Sequence, residues 1–195
     1  MPQCPPAADD YFSDAVFVGN SLVDGLYLYG GVSNCHWLSG TGVSLYNIDK
    51  QKISDKLGGE CTVMDGLSRQ KYGKVYIELG INEISMSAKD FVKSYGDFID
   101  KIRAVQPDAK IYVLSLTPVS AKKSADGGYF TKENVLAYNA ALHKLSSEKG
   151  CLYIDSCTSL ADKDGYLPGS ATSDGIHFNP SYYSAWMDVI RTHYV

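Results

Sequence analysis

The chain has 195 residues, of which 45% are hydrophobic and 21% charged, and its formal net charge is −4. That length and apolar content suit one globular domain over residues 1–195 with a sizeable core. The acidic balance and the lack of a Lys/Arg run argue against nucleic acid as a partner, and no apolar span is long enough for a membrane-crossing helix.

Met1-Pro2-Gln3-Cys4-Pro5-Pro6 opens a short polar, proline-rich lead, expected to run extended to about residue 12. It suits a native start or the remnant of a removed leader or anchor. The chain as written reads as soluble. Its compartment stays open, secretion or surface anchoring being implied only if a leader has been removed. Ala15 to Val18 is a β-branched and aromatic run that ends at Gly19-Asn20-Ser21. Leu22, Leu26 and Leu28 then follow a helical pattern. Strand, tight turn and helix lift Ser21 to the carboxyl end of a sheet, at the positive end of a helix dipole. Taken alone, Ser21 also reads as a helix N-cap, with Asp24 completing a capping box.

Cys35 to Leu38 reads as a second strand, followed by the small-residue loop Ser39-Gly40-Thr41-Gly42. Asn47 to Leu57 carries a weak helical pattern closed by Gly58-Gly59. Lys74 to Leu79 is a strong strand running into Gly80-Ile81-Asn82-Glu83. Phe91, Val92, Tyr95, Phe98, Ile99 and Ile102 recur at helical spacing up to Pro107. Lys110 to Leu116 is a buried strand, and Ala121 to Tyr129 a flexible loop. Thr131-Lys132-Glu133 begins a long helix that ends before Gly150. Cys151 to Ile154 is the last strand. From Asp162 the chain is loop-like, until Asn179 as N-cap and Pro180 at the first helical position open a closing helix.

This alternation predicts an α/β fold: a three-layer α/β/α sandwich with a parallel sheet of about five strands, flavodoxin-like in outline. Right-handed crossovers bring Ser21 and Asn82 to one sheet edge.

Asp174-Gly175-Ile176-His177 is the second chemical signal. An Asp and a His three residues apart can meet within one turn. The carboxylate then orients the imidazole, and the other ring nitrogen is free to take a proton from a hydroxyl. The blander alternative is a loop Asp bonded to backbone and a surface His. His36, His143 and His193 have no Asp three residues before them. The Asn82 amide and the backbone N–H groups of Ser21 and Gly40 are candidate donors to an oxyanion. The odd count of five cysteines, with no C-x-x-C, suggests neither a disulfide framework nor a zinc site. One disulfide stays open. Cys35-His36 is a faint metal hint, outweighed by a buried thiol and ring.

In combination these stretches resemble the SGNH (GDSL-type) esterase/acylhydrolase family. Gly19-Asn20-Ser21 resembles its Gly-Asp-Ser block, and Gly40, with Gly42 as the alternative, its second-block glycine. Gly80-Ile81-Asn82-Glu83 resembles Gly-x-Asn-Asp, and Asp174 to His177 matches Asp-x-x-His. Asn20 and Glu83 replace the usual Asp residues, which puts the hydrogen bonding behind the site in question. Val23 stands where the G-x-S-x-G elbow needs its second Gly, which argues against the α/β-hydrolase fold. The resemblance implies an ester hydrolase with Ser21, His177 and Asp174 as catalytic residues. Its oxyanion hole would be made by Ser21, Gly40 and Asn82, with no cofactor or metal.

The loops near this site are short and polar, and the 15 tyrosines include Tyr129 and Tyr166 beside them. They favour a short acyl group, most simply acetyl, on a small polar alcohol or a carbohydrate. The rival readings are a lysophospholipase or thioesterase of the same family, an inactive carbohydrate-binding member, and an anion-binding domain with Gly19-Asn20-Ser21 as its cradle. Oligomeric state is open.

Overall fold

The computed structural model describes residues 3–195, so Met1 and Pro2 of the expected lead lie outside the described residues. Asp9–Phe12 form a 3-10 turn with Phe12 buried. The chain before it is tied to the C-terminus by Cys4 N–H to Thr192 O (2.7 Å) and Ala7 N–H to Arg191 O (2.8 Å).

β1 (Ala15–Gly19) leads into α1 (Ser21–Tyr29), and β2 (His36–Ser39) follows. Next come the two-residue strands β3 (Ile53–Ser54) and β4 (Glu60–Cys61), α2 (Val63–Arg69), β5 (Lys74–Glu78) and a 3-10 turn at Ile81–Glu83. The second half runs α3 (Ala88–Val105), β6 (Lys110–Leu114), α4 (Ala121–Ala125), α5 (Lys132–Glu148), β7 (Leu152–Ile154), α6 (Ser156–Leu160) and α7 (Pro180–Arg191). Five strands form a parallel sheet in the order β2-β1-β5-β6-β7. Helices α1, α6 and α7 pack on one another, as do α2, α3 and α5, and the two groups cover the sheet. The architecture is the expected three-layer α/β/α sandwich.

A parallel strand covered on both faces is apolar over most of its length, and all five residues of β1 are buried. Register is pinned by an aromatic ladder across four strands. Trp37 stacks on Phe17 at 4.4 Å, Phe17 on Tyr76 at 4.6 Å, and Tyr76 on Tyr112 at 4.4 Å. Such cross-strand aromatic pairs each contribute up to about 1 kcal/mol. With Gly19 paired to Glu78, the turns after β1 and β5 emerge side by side. The chain leaves β1 toward β2 in one direction and β5 in the other, so these turns flank the topological switch point where open α/β sheets bind ligands.

Two local expectations are corrected, and two helices are added. Asn47 to Leu57 is not helical. It holds turns and then β3, which pairs antiparallel with β4 through Gly58 and Gly59, both at positive φ. The polar run Asp49-Lys50-Gln51-Lys52 offers no apolar stripe for a helix to bury, whereas the hairpin buries Ile53 and Cys61. Helix α2 is an addition, started by a capping box between Thr62 and Asp65. The expected flexible loop at 121–129 contains α4, capped by Ser120. The short α6 follows β7 directly.

Candidate active site

The first turn of α1 is capped by Asn20, not Ser21: the Asn20 side chain accepts the Leu22 N–H at 2.8 Å. Asp24 closes no capping box here; its carboxylate accepts the Ser39 hydroxyl at 2.7 Å and pairs with Lys56 at 3.4 Å. Ser21 is therefore the first helical residue. Its own N–H is one of the orphan donors of a helix start, and its hydroxyl is free for other work.

That hydroxyl lies 2.9 Å from His177 Nε2, and His177 Nδ1 lies 2.6 Å from Asp174 Oδ2. Asp174 Oδ1 accepts the backbone N–H groups of Ile176 (2.9 Å) and His177 (2.8 Å). One carboxylate thus shapes the turn with one oxygen and orients the ring with the other. Gly175 sits at φ +88 in this turn, a region that a side chain disfavours. The turn is anchored to the chain after β6 by Ser120 N–H to Gly175 O at 2.9 Å. Desolvation pushes the Asp174 carboxyl up, but bonds from the imidazole and the two backbone N–H groups outweigh it and bring the pKa down to about 2. An ionised Asp174 holds the proton on Nδ1, which leaves Nε2 as the acceptor for the Ser21 hydroxyl. The two side chains are 44% and 50% exposed, so the pair is open to a ligand.

Asn82 stands in the 3-10 turn after β5, behind Gly80. Its Nδ2 donates to Val43 O at 2.9 Å, which leaves its second amide hydrogen for another acceptor. The 40–47 loop therefore lies against the Asn82 turn. The two candidate glycines differ. A Cβ at Gly40 would meet Ile53 Cγ2 at 2.8 Å, whereas one at Gly42 would meet open space, and Gly42 instead supplies φ +76. Gly40 is thus required by packing and Gly42 by the turn. The Gly40 N–H points at Gly19 O over a long 3.3 Å.

Two residues behind the site, Glu78 and Glu83, carry electrostatics that residue type alone does not show. Glu78, paired with Gly19 and fully buried, is pushed up to about 8 by desolvation and then by nearby Glu83, with the Asn20 amide pulling the other way. Glu83, also buried, is pushed up to about 6 by desolvation against a bond from the Leu45 N–H. The sequence signal for Glu78 is an acid at the end of a largely apolar strand, and for Glu83 its standing in place of the usual Asp.

A cavity of about 470 Å³ borders Asp174, lined by Lys122, Lys123, Asp126, Asp162 and Thr172 among others. Tyr129 and Tyr166 are not in its lining. Tyr129 is exposed, and the Tyr166 ring takes the Lys132 ammonium at 4.4 Å. Asn179 occupies the N-cap position of α7, but its amide is spent on Ser170 O at 2.6 Å. Cys35 and His36 form no metal pair: both His36 ring nitrogens face protein groups, Tyr72 and Asp55. Among the described residues no group of three or more His, Cys, Asp or Glu could hold a metal ion. No helix among them is long and apolar enough to cross a membrane.

A serine at a helix start, beside an imidazole held by a carboxylate on the carboxyl edge of a parallel sheet, defines the class: hydrolases of ester bonds built on a flavodoxin-like sandwich. The family model of the GDSL-like Lipase/Acylhydrolase family matches residues 17–185. The chain belongs to that family. Solved structures agree in fold. One is a protein from Streptococcus pneumonia named for platelet activating factor, with 20% identity, TM-score 0.71, and coverage of 91% of this chain and 81% of that one. Another is a GDSL-like lipase from Bacteroides thetaiotaomicron, with 12% identity, TM-score 0.69, and coverage of 97% and 89%. A third is an acetyl xylan esterase, with 16% identity, TM-score 0.61, and coverage of 90% and 96%. No curated protein matches the chain.

Proposed function

We propose that the chain is a serine acylhydrolase that removes a short acyl group, most simply acetyl, from a polar alcohol such as a carbohydrate, through an acyl-enzyme on Ser21. The observation that carries this reading is the continuous line from the Ser21 hydroxyl through His177 to Asp174.

In this reading His177 Nε2 takes the Ser21 proton as the oxygen attacks the ester carbonyl. Asp174 keeps the ring in the productive tautomer and stabilises its charged form. The oxyanion is met by the Ser21 N–H, the Gly40 N–H, whose contact with Gly19 O is long at 3.3 Å, and the second Asn82 amide hydrogen. His177 then passes its proton to the leaving alcohol, and water repeats the sequence to release the acid. The substrate class rests on the polar surroundings. The cavity beside Asp174 offers lysines, carboxylates and a hydroxyl rather than an apolar channel, which suits a hydroxyl-rich alcohol better than a long acyl chain. The likeness to an acetyl xylan esterase points the same way.

The test has two arms. A fluorophosphonate probe should label Ser21 in the wild-type chain and not in Ser21→Ala. Specificity constants on p-nitrophenyl acetate, butyrate, octanoate and palmitate should fall beyond butyrate, with acetate released from acetylated xylan or another acetylated sugar. An optimum at octanoate or longer would replace this reading with a lysophospholipase or thioesterase. Absence of labelling and turnover would leave a carbohydrate-binding protein.

A further inference from the structure

We propose that Glu83 is a positioning residue that clamps the 40–47 loop, so that Gly40 and the Asn82 amide face the reacting carbonyl together. The proposal rests on the functional reading above and adds to it the group that holds the oxyanion side of the site in shape.

The loop meets the 81–83 turn through two bonds spaced two residues apart. Asn82 Nδ2 donates to Val43 O at 2.9 Å, and the Leu45 N–H donates to Glu83 Oε1 at 2.5 Å. Gly40 is coupled to the first of these points, since the Val43 N–H donates to Gly40 O at 3.1 Å. The turn itself is held from behind. Tyr138 in α5 donates its hydroxyl to Glu83 O at 2.7 Å and Met86 O at 2.8 Å, and the Glu83 N–H donates to Gly80 O at 3.1 Å. Glu83 thus links a rigid turn to the loop on which Gly40 sits.

Burial makes this costly. Glu83 is 0% exposed, and an acid taken out of water destabilises unless its bonds compensate. Its side chain makes one contact that an apolar residue of equal size could not, acceptance of the Leu45 N–H. Reach also matters. Shortening the side chain by one methylene withdraws the acceptor by roughly 1.5 Å, the length of a C–C bond, which breaks a hydrogen bond. Asp, the residue the family pattern would place here, is therefore the wrong length for this loop, whereas Gln has the right length and a carbonyl oxygen to accept.

The experiment compares Glu83→Asp, Glu83→Gln and wild type in kcat, KM, fluorophosphonate labelling rate and amide hydrogen exchange at Leu45. Glu83→Asp should lower kcat and the labelling rate about tenfold or more, change KM by less than about twofold, and speed exchange at Leu45 at least tenfold. Glu83→Gln should stay within about threefold of wild type in all of them. In the background of Asn82→Ala, Glu83→Asp should cost little more, because both act on the same oxyanion site. The proposal is overturned if Glu83→Asp matches wild type in kcat and Leu45 exchange. It is equally overturned if Glu83→Gln is as impaired as Glu83→Asp, which would mean that charge and not reach matters. Failure of the functional reading shows elsewhere, as wild-type chain that neither labels nor turns over. The Leu45 exchange rates still decide the clamp in that case. Where Glu83→Asp is too unstable to assay, Glu83→Met, which keeps the length but has no oxygen to accept the Leu45 N–H, should speed exchange at least tenfold over wild type, equal rates overturning the proposal.

Discussion

His36 and His177 each bond an aspartate, at 2.8 Å and 2.6 Å, yet the two pairs have different surroundings. His36 is buried in β2, with its other nitrogen 2.5 Å from the Tyr72 hydroxyl, whose pKa burial pushes up to about 12. Its partner Asp55 also takes the Arg69 guanidinium, and the group ties the β3–β4 hairpin to β2 and α2. The second nitrogen of His177 meets a serine hydroxyl at a helix start, and that pair is half open to solvent. An aspartate fixes an imidazole in both places. What separates a strut from a base is the group at the far nitrogen and whether a ligand can reach it.

The largest effect should come from the open pair. Ser21→Ala and His177→Ala should each lower kcat on p-nitrophenyl acetate by a factor on the order of 1,000 or more while the thermal midpoint stays close to wild type. Retained turnover in Ser21→Ala would remove the distinction between the pairs. Asn82→Ala comes next. On the proposed mechanism it takes away an oxyanion donor and leaves ground-state binding nearly intact, so kcat should fall by about 100-fold with KM little changed. A change confined to KM would make Asn82 a substrate-binding residue.

The buried pair should report in stability instead. Asp55→Ala leaves His36 buried without its acceptor and should cost about 3 kcal/mol, a drop in melting temperature of roughly 6–12 °C. The folded fraction should lose far less activity than the Ser21 variant does. Turnover falling as far as in Ser21→Ala, with the melting temperature unchanged, would place His36 in the chemistry.

The sequence carried the sheet and the site line unequally. Strands β1, β5 and β6 are legible because each carries a continuous apolar run, Ala15 to Val18, Val75 to Ile77 and Ile111 to Leu114, as a strand buried on both faces requires. Asp174 and His177 are legible because three residues of spacing close within one turn. β3 lies in the 47–57 stretch whose weak pattern suggests a helix, because two-residue strands carry no periodicity, and the group that fixes the hairpin, Asp55 with His36 and Arg69, is assembled from three distant stretches. The cap at Asn20 escaped for a related reason: Ser21 is an equally good cap by residue type, and only the backbone geometry shows which side chain reaches the Leu22 N–H. Glu78 and Glu83 hide most completely. Glu83 stands out only as a replacement for Asp and Glu78 only as a strand-end acid, and packing alone shows both to be fully covered.

That buried acid gives the last contrast with the open site. Asp174 is held down at about 2, so the stability its ionisation contributes is complete above its ordinary value of 3.8 and is lost only as pH falls from there through 2. Glu78 runs in the opposite direction. Its pKa rises from 4.5 to about 8 on folding, so the folded chain holds a proton that the unfolded chain has released between those values. Stability is then complete below pH 4.5, declines as pH rises through the window, and stays reduced above about 8. Glu83, raised to about 6, adds to the decline in the lower part of the window, and the two neighbouring acids titrate as a unit. Glu78→Gln keeps the shape of the protonated acid and cannot ionise. Its melting temperature should match wild type at pH 4 and exceed it at pH 8.5 by roughly 4 °C or more, since each kcal/mol shifts the midpoint of a chain this size by about 2–4 °C. Parallel curves for the two proteins from pH 4 to 8.5 would show that Glu78 is already ionised in the folded state, with its charge met by a bond.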